Sequence, residues 1–205
     1  ALKGRKESNS IKEYTKNLYD SRAGFFETLV SNKLEYDAPN ELVNLLKENF
    51  KGTLRFNNAI DLGCGTGLSG LAFKKYIDYL LGIDLSKNMI DVARNKEIYN
   101  ELIVGDLNDI IKDQVKLYDL IISTDVFIYL GNLDDLFKNI KKISNKDALF
   151  IFSTEFNTGD NYKLNFSGRY SHSHDYINKI LKVNSFKLIG HKIGNLRKEK
   201  DKWIK

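Results

Sequence analysis

The spacing of apolar residues changes once along the chain, near residue 55. From Ile11 to Phe50 the apolar positions recur every three or four residues, which is the period of amphipathic helices. Pro39 stands near the start of the last of these segments, where its fixed φ fits the first turn of a helix. Beyond this point short apolar runs alternate with helix-like segments, a pattern typical of parallel strands joined by helices.

The alternation predicts both the elements and the fold class. The predicted strands are, in chain order, NAIDLG, YLLGIDL, ELIVGDL, YDLIIST, ALFIFST and FKLIGHKIG. The segments GLSGLAFKKY, SKNMIDVARNK, LDDLFKNIKKIS and DYINKILKVNS are predicted amphipathic helices. We therefore predict an α/β fold with a mostly parallel sheet, right-handed crossovers and helices on both faces. A single domain is expected over residues 1–205, with a helical segment at 1–50 and a core at 55–205.

Composition and charge exclude several classes of protein. An apolar fraction of 42% suits a globular core, and no run approaches the ~20 apolar residues of a membrane span. The first ten residues lack the apolar core of a signal peptide, and Cys64 is the only cysteine, so we expect a cytoplasmic protein without disulfides. The net charge of +5 comes from lysines interleaved with acids, as in LRKEKDKWIK, which indicates a solvated surface rather than a nucleic-acid-binding face.

Acidic and small polar residues follow the predicted strands. Ligands of open parallel sheets bind beyond the carboxyl ends of the strands, which makes these residues the candidate site. The segments at these positions are DLGCGTG, DLS, DLND, STDVF and STEFN. The first contains the literal dinucleotide pattern G-x-G-x-x-G at Gly65, Gly67 and Gly70, which keeps an NAD-dependent oxidoreductase as an alternative.

The register of the glycines favours another ligand. The strand-like run ends at Leu62 and the turn begins at Gly63, so the pattern is D-x-G-x-G-x-G starting at Asp61. A carboxylate there repels a pyrophosphate but suits a ligand that carries an ammonium group. Asp84, 23 residues later, can accept hydrogen bonds from ribose hydroxyls, which fits NAD as well as any other adenosine. Asp106 ends the third run and suits an adenine amino group.

Four of these segments resemble, in order and spacing, the motifs of class I S-adenosylmethionine-dependent methyltransferases. They are AIDLGCGTGLSG, GIDLSKNMI, IVGDLND and YDLIISTDVFIYLG, between Ala59 and Gly131. LYDSRAGFFETLVSNKLEYDAPNELVNLL resembles the N-terminal cap helices of the small-molecule enzymes, and GRYSHSHDYINKILKVNSFKLI resembles bacterial methyltransferases associated with tetratricopeptide repeats. The resemblance implies a Rossmann-like three-layer sandwich with a helical cap over 1–50. It also implies S-adenosyl-L-methionine as cofactor and S-adenosyl-L-homocysteine as product.

The resemblance also assigns residues to parts of the cofactor. The implied contacts are Asp61, Gly63, Gly65 and Gly67 at the methionine end; Asp84 at the ribose; Leu85, Met89, Asp106 and Leu107 at the adenine; Thr124 and Asp125, with the backbone of Ser123, at the amino acid moiety; and Tyr19 over the methyl group. Simpler alternatives stay open for three of them: Met89 as core, Asp125 as a helix cap and Tyr19 as ordinary packing.

The sequence lacks the motifs of two classes of methyltransferase, which narrows the range of possible acceptors. STDVFIYLG lacks the Asn/Asp-Pro-Pro-aromatic motif that amino-methyltransferases of DNA and glutamine share, and Cys64 lies in the glycine turn rather than where cytosine-C5 enzymes keep their nucleophile. Tyr170 and His172 are the predicted acid/base pair, with a helix cap at Ser171 or Ser173 as the alternative for this segment. His172 and His174 lack an evident third ligand, so no metal site is predicted.

The sequence thus predicts methyl transfer to a small-molecule acceptor at oxygen, nitrogen, carbon or a carboxylate. The alternatives are the NAD-dependent oxidoreductase and a non-catalytic cofactor-binding module that docks on protein or RNA. His191 is expected on the surface of the sixth strand. The residues after FKLIGHKIG are too few for the seventh, antiparallel strand of the family, so either the chain continues or the sheet lacks one edge.

Overall fold

The N-terminal part of the computed structural model is helical. The structure describes residues 2–32, 36–199 and 202–204. The helices α1 (Leu2–Arg22), α2 (Phe26–Asn32) and α3 (Ala38–Asn49) come first, with a 3-10 turn between α1 and α2. Pro39 lies in the first turn of α3 as predicted. Part of the segment that resembles the cap helices, residues 33–35, lies outside the described residues.

The next hundred residues alternate between strands and helices. These elements are β1 (Phe56–Leu62), α4 (Leu68–Phe73), β2 (Ile77–Asp84), α5 (Lys87–Arg94), β3 (Glu101–Val104), α6 (Leu107–Lys112), β4 (Tyr118–Ser123), α7 (Asp134–Lys142) and β5 (Ser144–Phe152). The five strands form one sheet in the order β3-β2-β1-β4-β5, and every pair is parallel. The strand order reverses between β1 and β4, so the cleft beyond their carboxyl ends is the expected ligand site.

Helices cover both faces of this sheet. Alternate residues of a strand point to opposite faces, so Ile60 packs with residues of α6 and α7 while its neighbour Ala59 packs with residues of α3 and α4. On the second face, Leu42 and Leu46 of α3 are buried against the sheet. The predicted Rossmann-like three-layer sandwich is therefore confirmed, and α3 belongs to one of its outer layers.

A second, small sheet follows the main one. It contains β6 (Glu155–Asn157), β7 (Tyr162–Leu164) and β8 (Tyr170–Ser173) in the order β6-β8-β7. Helix α8 (His174–Val183) begins directly after β8, and Ser173 caps it by accepting a hydrogen bond from the Tyr176 N–H. An antiparallel hairpin of β9 (Arg197–Glu199) and β10 (Lys202–Ile204) comes last.

The predicted sixth strand, FKLIGHKIG, is wrong. Residues 186–194 contain no strand, although residues 185–190 line a cleft shared with β5 and α3. This segment has no backbone pairing with β5, and two of its residues contact α3. Gly190 packs against Asn49, and Lys192 forms an ion pair with Glu41 at 2.5 Å. His191 is exposed as expected, but it lies in a loop, with its ring 4.9 Å from that of His174.

None of the helices in the described ranges is both long enough and apolar enough to span a bilayer.

Candidate functional site

A cavity lies at the carboxyl ends of β1, β2, β3 and β4, with α1 and α2 on its outer side. Its wall combines the loops that follow these strands with residues from the N-terminal helices, from the loop before β8 and from β9. The residues that line it include Lys12, Thr15, Lys16, Tyr19, Arg22, Tyr36, Gly63, Gly65, Thr66, Asp84, Leu85, Met89, Asp106, Leu107, Asn108, Thr124, Asp125, Val126, Tyr129, Arg169 and Arg197. The topology of the sheet predicts a ligand site at this place.

The glycine turn begins at Gly63, directly after β1, as the pattern D-x-G-x-G-x-G predicts. Gly63, Gly65 and Gly67 have φ values of 75°, 53° and 93°, which L side chains rarely adopt. A Cβ at Gly63 would also lie 2.3 Å from Cγ2 of Val126. Gly63 and Gly65 line the cavity, whereas Gly67 stands where α4 begins and is absent from the described cavity wall.

Asp84 joins the end of β2 to this turn. Its Oδ2 accepts a hydrogen bond from the Gly65 N–H and its Oδ1 accepts one from the Ser86 N–H, each at 2.8 Å. Burial raises the pKa of this carboxyl, while the two backbone donors act in the opposite direction. The carboxylate lines the cavity. Its fixed position allows the remaining lone pairs to accept hydrogen bonds from ligand hydroxyls.

Asp61 lies beneath the turn, outside the described cavity wall. Its Oδ2 accepts a hydrogen bond from the Tyr99 hydroxyl at 2.7 Å, while its buried Oδ1 has no partner among the described residues. Burial raises the pKa of Asp61 to about 7. The structure therefore supplies no direct contact for the predicted role of Asp61 at the methionine end.

Tyr99 is a structural residue that the sequence did not reveal. A Cβ at Gly70 would lie 2.4 Å from its hydroxyl, and a Cβ at Gly82 would lie 2.8 Å from its ring. The third glycine of the literal dinucleotide pattern thus makes room for an aromatic ring in the core and does not approach the cavity.

The predicted adenine side is largely apolar. Leu85, Met89 and Leu107 line the cavity, and Met89 is fully buried. Asp106 also lines it, but its Oδ1 caps α6 by accepting hydrogen bonds from the Asn108 and Asp109 N–H groups. Its Oδ2 forms an ion pair with Lys12 of α1 at 2.8 Å.

Four buried oxygens in the cavity wall have no hydrogen-bond partner in the described part of the chain. They belong to the side chains of Thr15, Thr66, Asn108 and Thr124. Leaving a buried polar atom unsatisfied costs about 1–3 kcal/mol, so natural proteins rarely retain several in one place. Because these four come from separate elements, a bound polar ligand is the simplest partner for all of them.

Polar contacts hold α1 across the mouth of the cavity. The Ser86 hydroxyl donates to Oδ1 of Asp20 at 2.5 Å, and Nδ2 of Asn88 donates to the Asp20 carbonyl at 3.0 Å. The hydroxyls of Tyr19 and Tyr129 lie 2.8 Å apart, and both tyrosines line the cavity. Helix α1 is thereby fixed to the loop after β2 and to the segment after β4.

The cavity extends from Asp125 towards residues that no motif predicted. Arg197 of β9 has a side chain only 2% exposed, and its guanidinium donates to Asp125 at 2.6 Å and to Glu155. Arg169 lies near the same Glu155, at 3.9 Å, and lines the cavity. Asp125 itself has a φ of 60° and uses its carboxylate for this ion pair rather than as a helix cap. Tyr36 is another residue of the wall that the sequence did not predict.

His172 and Tyr170 do not meet the cavity wall, so the predicted acid/base pair is not assembled there. His172 is 1% exposed; its Nε2–H donates to the Gly131 carbonyl at 3.0 Å, and its Nδ1 lies 2.6 Å from the Thr154 hydroxyl. Burial lowers the pKa of this imidazole. Tyr170 packs against Gly131, where a Cβ would lie 2.7 Å from its ring. With both ring nitrogens engaged, His172 holds the segment after β4 against the small sheet.

Residues 60–152 match the family described as a methyltransferase domain. A probable S-adenosylmethionine-dependent methyltransferase of Saccharomyces cerevisiae is 28% identical over 174 residues, which are 80% of this chain and 58% of that protein. The malonyl-(acyl-carrier protein) O-methyltransferase of Priestia megaterium is 30% identical over 150 residues, which are 70% of this chain and 52% of that enzyme. The chain thus spans about half the length of these curated relatives.

Solved structures share the fold. Magnesium protoporphyrin IX methyltransferase from Synechocystis, with bound SAH, superposes with a TM-score of 0.66 at 17% identity. The match covers 95% of this chain and 96% of that one.

Proposed function

We propose that the chain transfers a methyl group from S-adenosylmethionine to a small-molecule acceptor, because it belongs to the class I S-adenosylmethionine-dependent methyltransferases. The observation that carries the proposal is the cavity at the switch point of the sheet. Its wall joins a glycine turn and the carboxylate of Asp84 to four buried oxygens that the described protein leaves without partners. A ligand with hydroxyl, amino and ring-nitrogen groups would satisfy such a wall.

The residues of the wall fit the parts of this cofactor. Asp84 would accept hydrogen bonds from the ribose hydroxyls, and Leu85, Met89 and Leu107 would enclose the adenine. Gly65 leaves room for the methionine part, since nothing lies within 4 Å of where its Cβ would stand, and Gly63 and Thr124 line the same cavity. Lys16 and Arg22 of α1 supply positive charge for a carboxylate. When bound, the cofactor supplies an electrophilic methyl group on a sulfonium.

The protein's own contribution to such a reaction is positioning and the exclusion of water. Helix α1 covers the site through its contacts with the loop after β2. Burial raises the pKa of Tyr19 well above its usual value, and it raises the pKa of Tyr36 for the same reason. Both phenols therefore stay protonated at neutral pH and act as O–H donors rather than as bases.

An NAD-dependent oxidoreductase receives less support. In the literal glycine pattern that suggested it, Gly67 is the glycine that would approach the pyrophosphate, and Gly67 is absent from the described cavity wall. Asp84 suits both ligands and does not separate them. A non-catalytic binding module would share the cavity, and it differs only in failing to turn over S-adenosylmethionine when candidate metabolites are supplied.

Substitution of Asp84 tests the proposed binding site. Asp84→Asn removes the charge that accepts from ligand hydroxyls, and we expect S-adenosylhomocysteine to bind about 1–3 kcal/mol more weakly in calorimetric titration. Asp91→Asn is the matched control, because Asp91 lies on the exposed side of α5 and pairs with Lys87 and Arg94. Equal affinity of a folded Asp84→Asn variant and the wild type contradicts the assigned role of Asp84.

A further inference from the structure

We propose that Arg197, on the β9–β10 hairpin, is a positioning residue for the amino acid part of the cofactor and that it acts through Asp125. This inference rests on the proposed function and deepens it, because it takes the methionine part to lie near Gly65 and Thr124. Three observations support it: the two ion pairs of Arg197, the constrained backbone at Asp125, and the place of the residues beside Asp125 in the cavity wall.

The Arg197 guanidinium anchors its hairpin in the interior. Its side chain is only 2% exposed, whereas Trp203, on the paired strand β10, is exposed. Nη1 donates to Asp125 at 2.6 Å, and Nη2 donates to Glu155. Because the two nitrogens of the planar guanidinium reach different carboxylates, Arg197 joins the hairpin to the loop after β4 and to the start of β6 at the same time.

The backbone at Asp125 is constrained from two sides. Its φ of 60° lies in the left-handed region, which a residue other than glycine keeps only where its surroundings fix it. Its N–H donates to the Ser153 hydroxyl at 2.8 Å, and its carboxylate accepts from Arg197. Loss of the Arg197 contact would remove one of these two restraints. We therefore expect the backbone of residues 124–126 to shift when Arg197 is replaced.

The two neighbours of Asp125 lie in the part of the wall that we assign to the methionine. β1 and β4 are adjacent in the sheet, so the loop after β4 lies beside the glycine turn after β1. The Thr124 hydroxyl is buried in this wall and has no partner among the described residues. Val126 packs against Gly63, where a Cβ would lie 2.3 Å from Cγ2 of Val126. A shift of residues 124–126 would therefore change the contacts offered to the amino acid part.

The adenosine part depends on other segments. Asp84 and Leu85 lie at the end of β2, Met89 lies on α5, and Leu107 begins α6. The Asp84 carboxylate is held by backbone N–H groups of the glycine turn and of the loop after β2. Replacement of Arg197 should therefore weaken binding of the amino acid part and leave adenosine recognition intact. A general loss of stability would weaken both.

The experiment compares two ligands that differ in the amino acid part. Methylthioadenosine keeps the adenosine and the thioether sulfur of S-adenosylhomocysteine but has a methyl group in place of the amino acid chain. Calorimetric titration gives a dissociation constant for each ligand. We expect Arg197→Gln to weaken binding of S-adenosylhomocysteine by roughly tenfold or more and that of methylthioadenosine by less than about twofold.

Glu155→Gln is the matched control. It removes the charge of the other carboxylate bound by Arg197, at a residue that is buried but absent from the described cavity wall. The pair of Arg197 and Asp125 remains in this variant. We therefore expect the ratio of the two dissociation constants to stay at its wild-type value.

The conservative variant Arg197→Lys tests rescue. Lysine keeps the charge but not the planar fork that reaches both carboxylates, so the ratio should change by a smaller factor, about two- to fivefold. Removal of one partner from a buried ion pair is strongly destabilising. If circular dichroism shows that Arg197→Gln does not fold, Arg197→Lys decides: selective weakening of S-adenosylhomocysteine binding supports the positioning role, and a wild-type ratio overturns it.

The outcomes separate this inference from the proposed function. Equal weakening of both ligands in a folded Arg197→Gln variant, or wild-type affinity for both, overturns the positioning role and leaves the cofactor site standing. The same selective loss in Glu155→Gln overturns the action through Asp125. If the wild type binds methylthioadenosine as tightly as S-adenosylhomocysteine, the amino acid part makes no contact that Arg197 could position. If the wild type binds neither ligand, the proposed function fails and this inference fails with it.

Discussion

At the scale of single residues, Asp61 is a carboxylic acid buried beneath the glycine turn with only one oxygen bonded to a side chain. Its pKa rises to about 7 from an ordinary value of 3.8, chiefly because burial disfavours the charged form. The folded protein therefore holds this proton more tightly than the unfolded chain does. The sign follows from this difference: the contribution of Asp61 to stability is full below about pH 4 and is lost as the pH rises to about 7.

Asp61→Asn should remove this pH dependence in the ligand-free protein. The asparagine keeps the shape and a hydrogen bond to Tyr99 but does not ionise, so the wild type should lose on the order of 3–4 kcal/mol more than the variant between about pH 4 and about pH 7. Urea unfolding at a series of pH values measures the difference. The exposed Asp160→Asn serves as control, and parallel pH curves for the wild type and Asp61→Asn contradict the expectation.

His172 is the residue for which structural and catalytic roles make opposite predictions. Both nitrogens of its buried ring are hydrogen bonded, so His172→Ala should lower the free energy of unfolding by about 2–4 kcal/mol. His174→Ala, at an exposed position two residues later, should change it by less than about 0.5 kcal/mol. A variant that keeps wild-type stability but selectively loses turnover would restore the predicted acid/base role.

At the scale of elements, the packing of α4 on the sheet depends on glycines that accommodate Tyr99. Alanine normally favours a helix over glycine, but a Cβ at Gly70 would lie 2.4 Å from the Tyr99 hydroxyl. Gly70→Ala should therefore destabilise the protein by about 1–3 kcal/mol in denaturant unfolding. Gly24→Ala, where nothing lies within 4 Å, should be neutral or slightly stabilising. A stabilised Gly70→Ala variant would show that the ring moves aside easily.

The elements of the central sheet were predictable because each has its own local pattern. Buried parallel strands appear as short apolar runs, and the helices between them carry apolar residues at helical spacing. The segment FKLIGHKIG has the same apolar character but forms no strand, and its Gly190 and Lys192 contact α3. Such contacts between residues more than a hundred positions apart leave no local signal.

At the scale of the whole molecule, the site combines predictable and unpredictable parts. The residues that follow β1, β2, β3 and β4 lie in contiguous motifs, so the glycine turn and Asp84 could be placed from the sequence. Arg169, Arg197 and Tyr36 reach the cavity only through the folding of the small sheet, the last hairpin and the N-terminal helices. Isolated arginines and tyrosines in these segments have no pattern that marks them. The part of the cavity wall that these three residues form therefore needed the structure.

The central claim is that this cavity binds S-adenosylmethionine and its product rather than a dinucleotide. The most direct measurement is calorimetric titration of the ligand-free protein with S-adenosylhomocysteine and, separately, with NAD. We expect saturable binding of S-adenosylhomocysteine at a single site per chain and no binding of NAD. Saturable binding of NAD without binding of S-adenosylhomocysteine would contradict the claim.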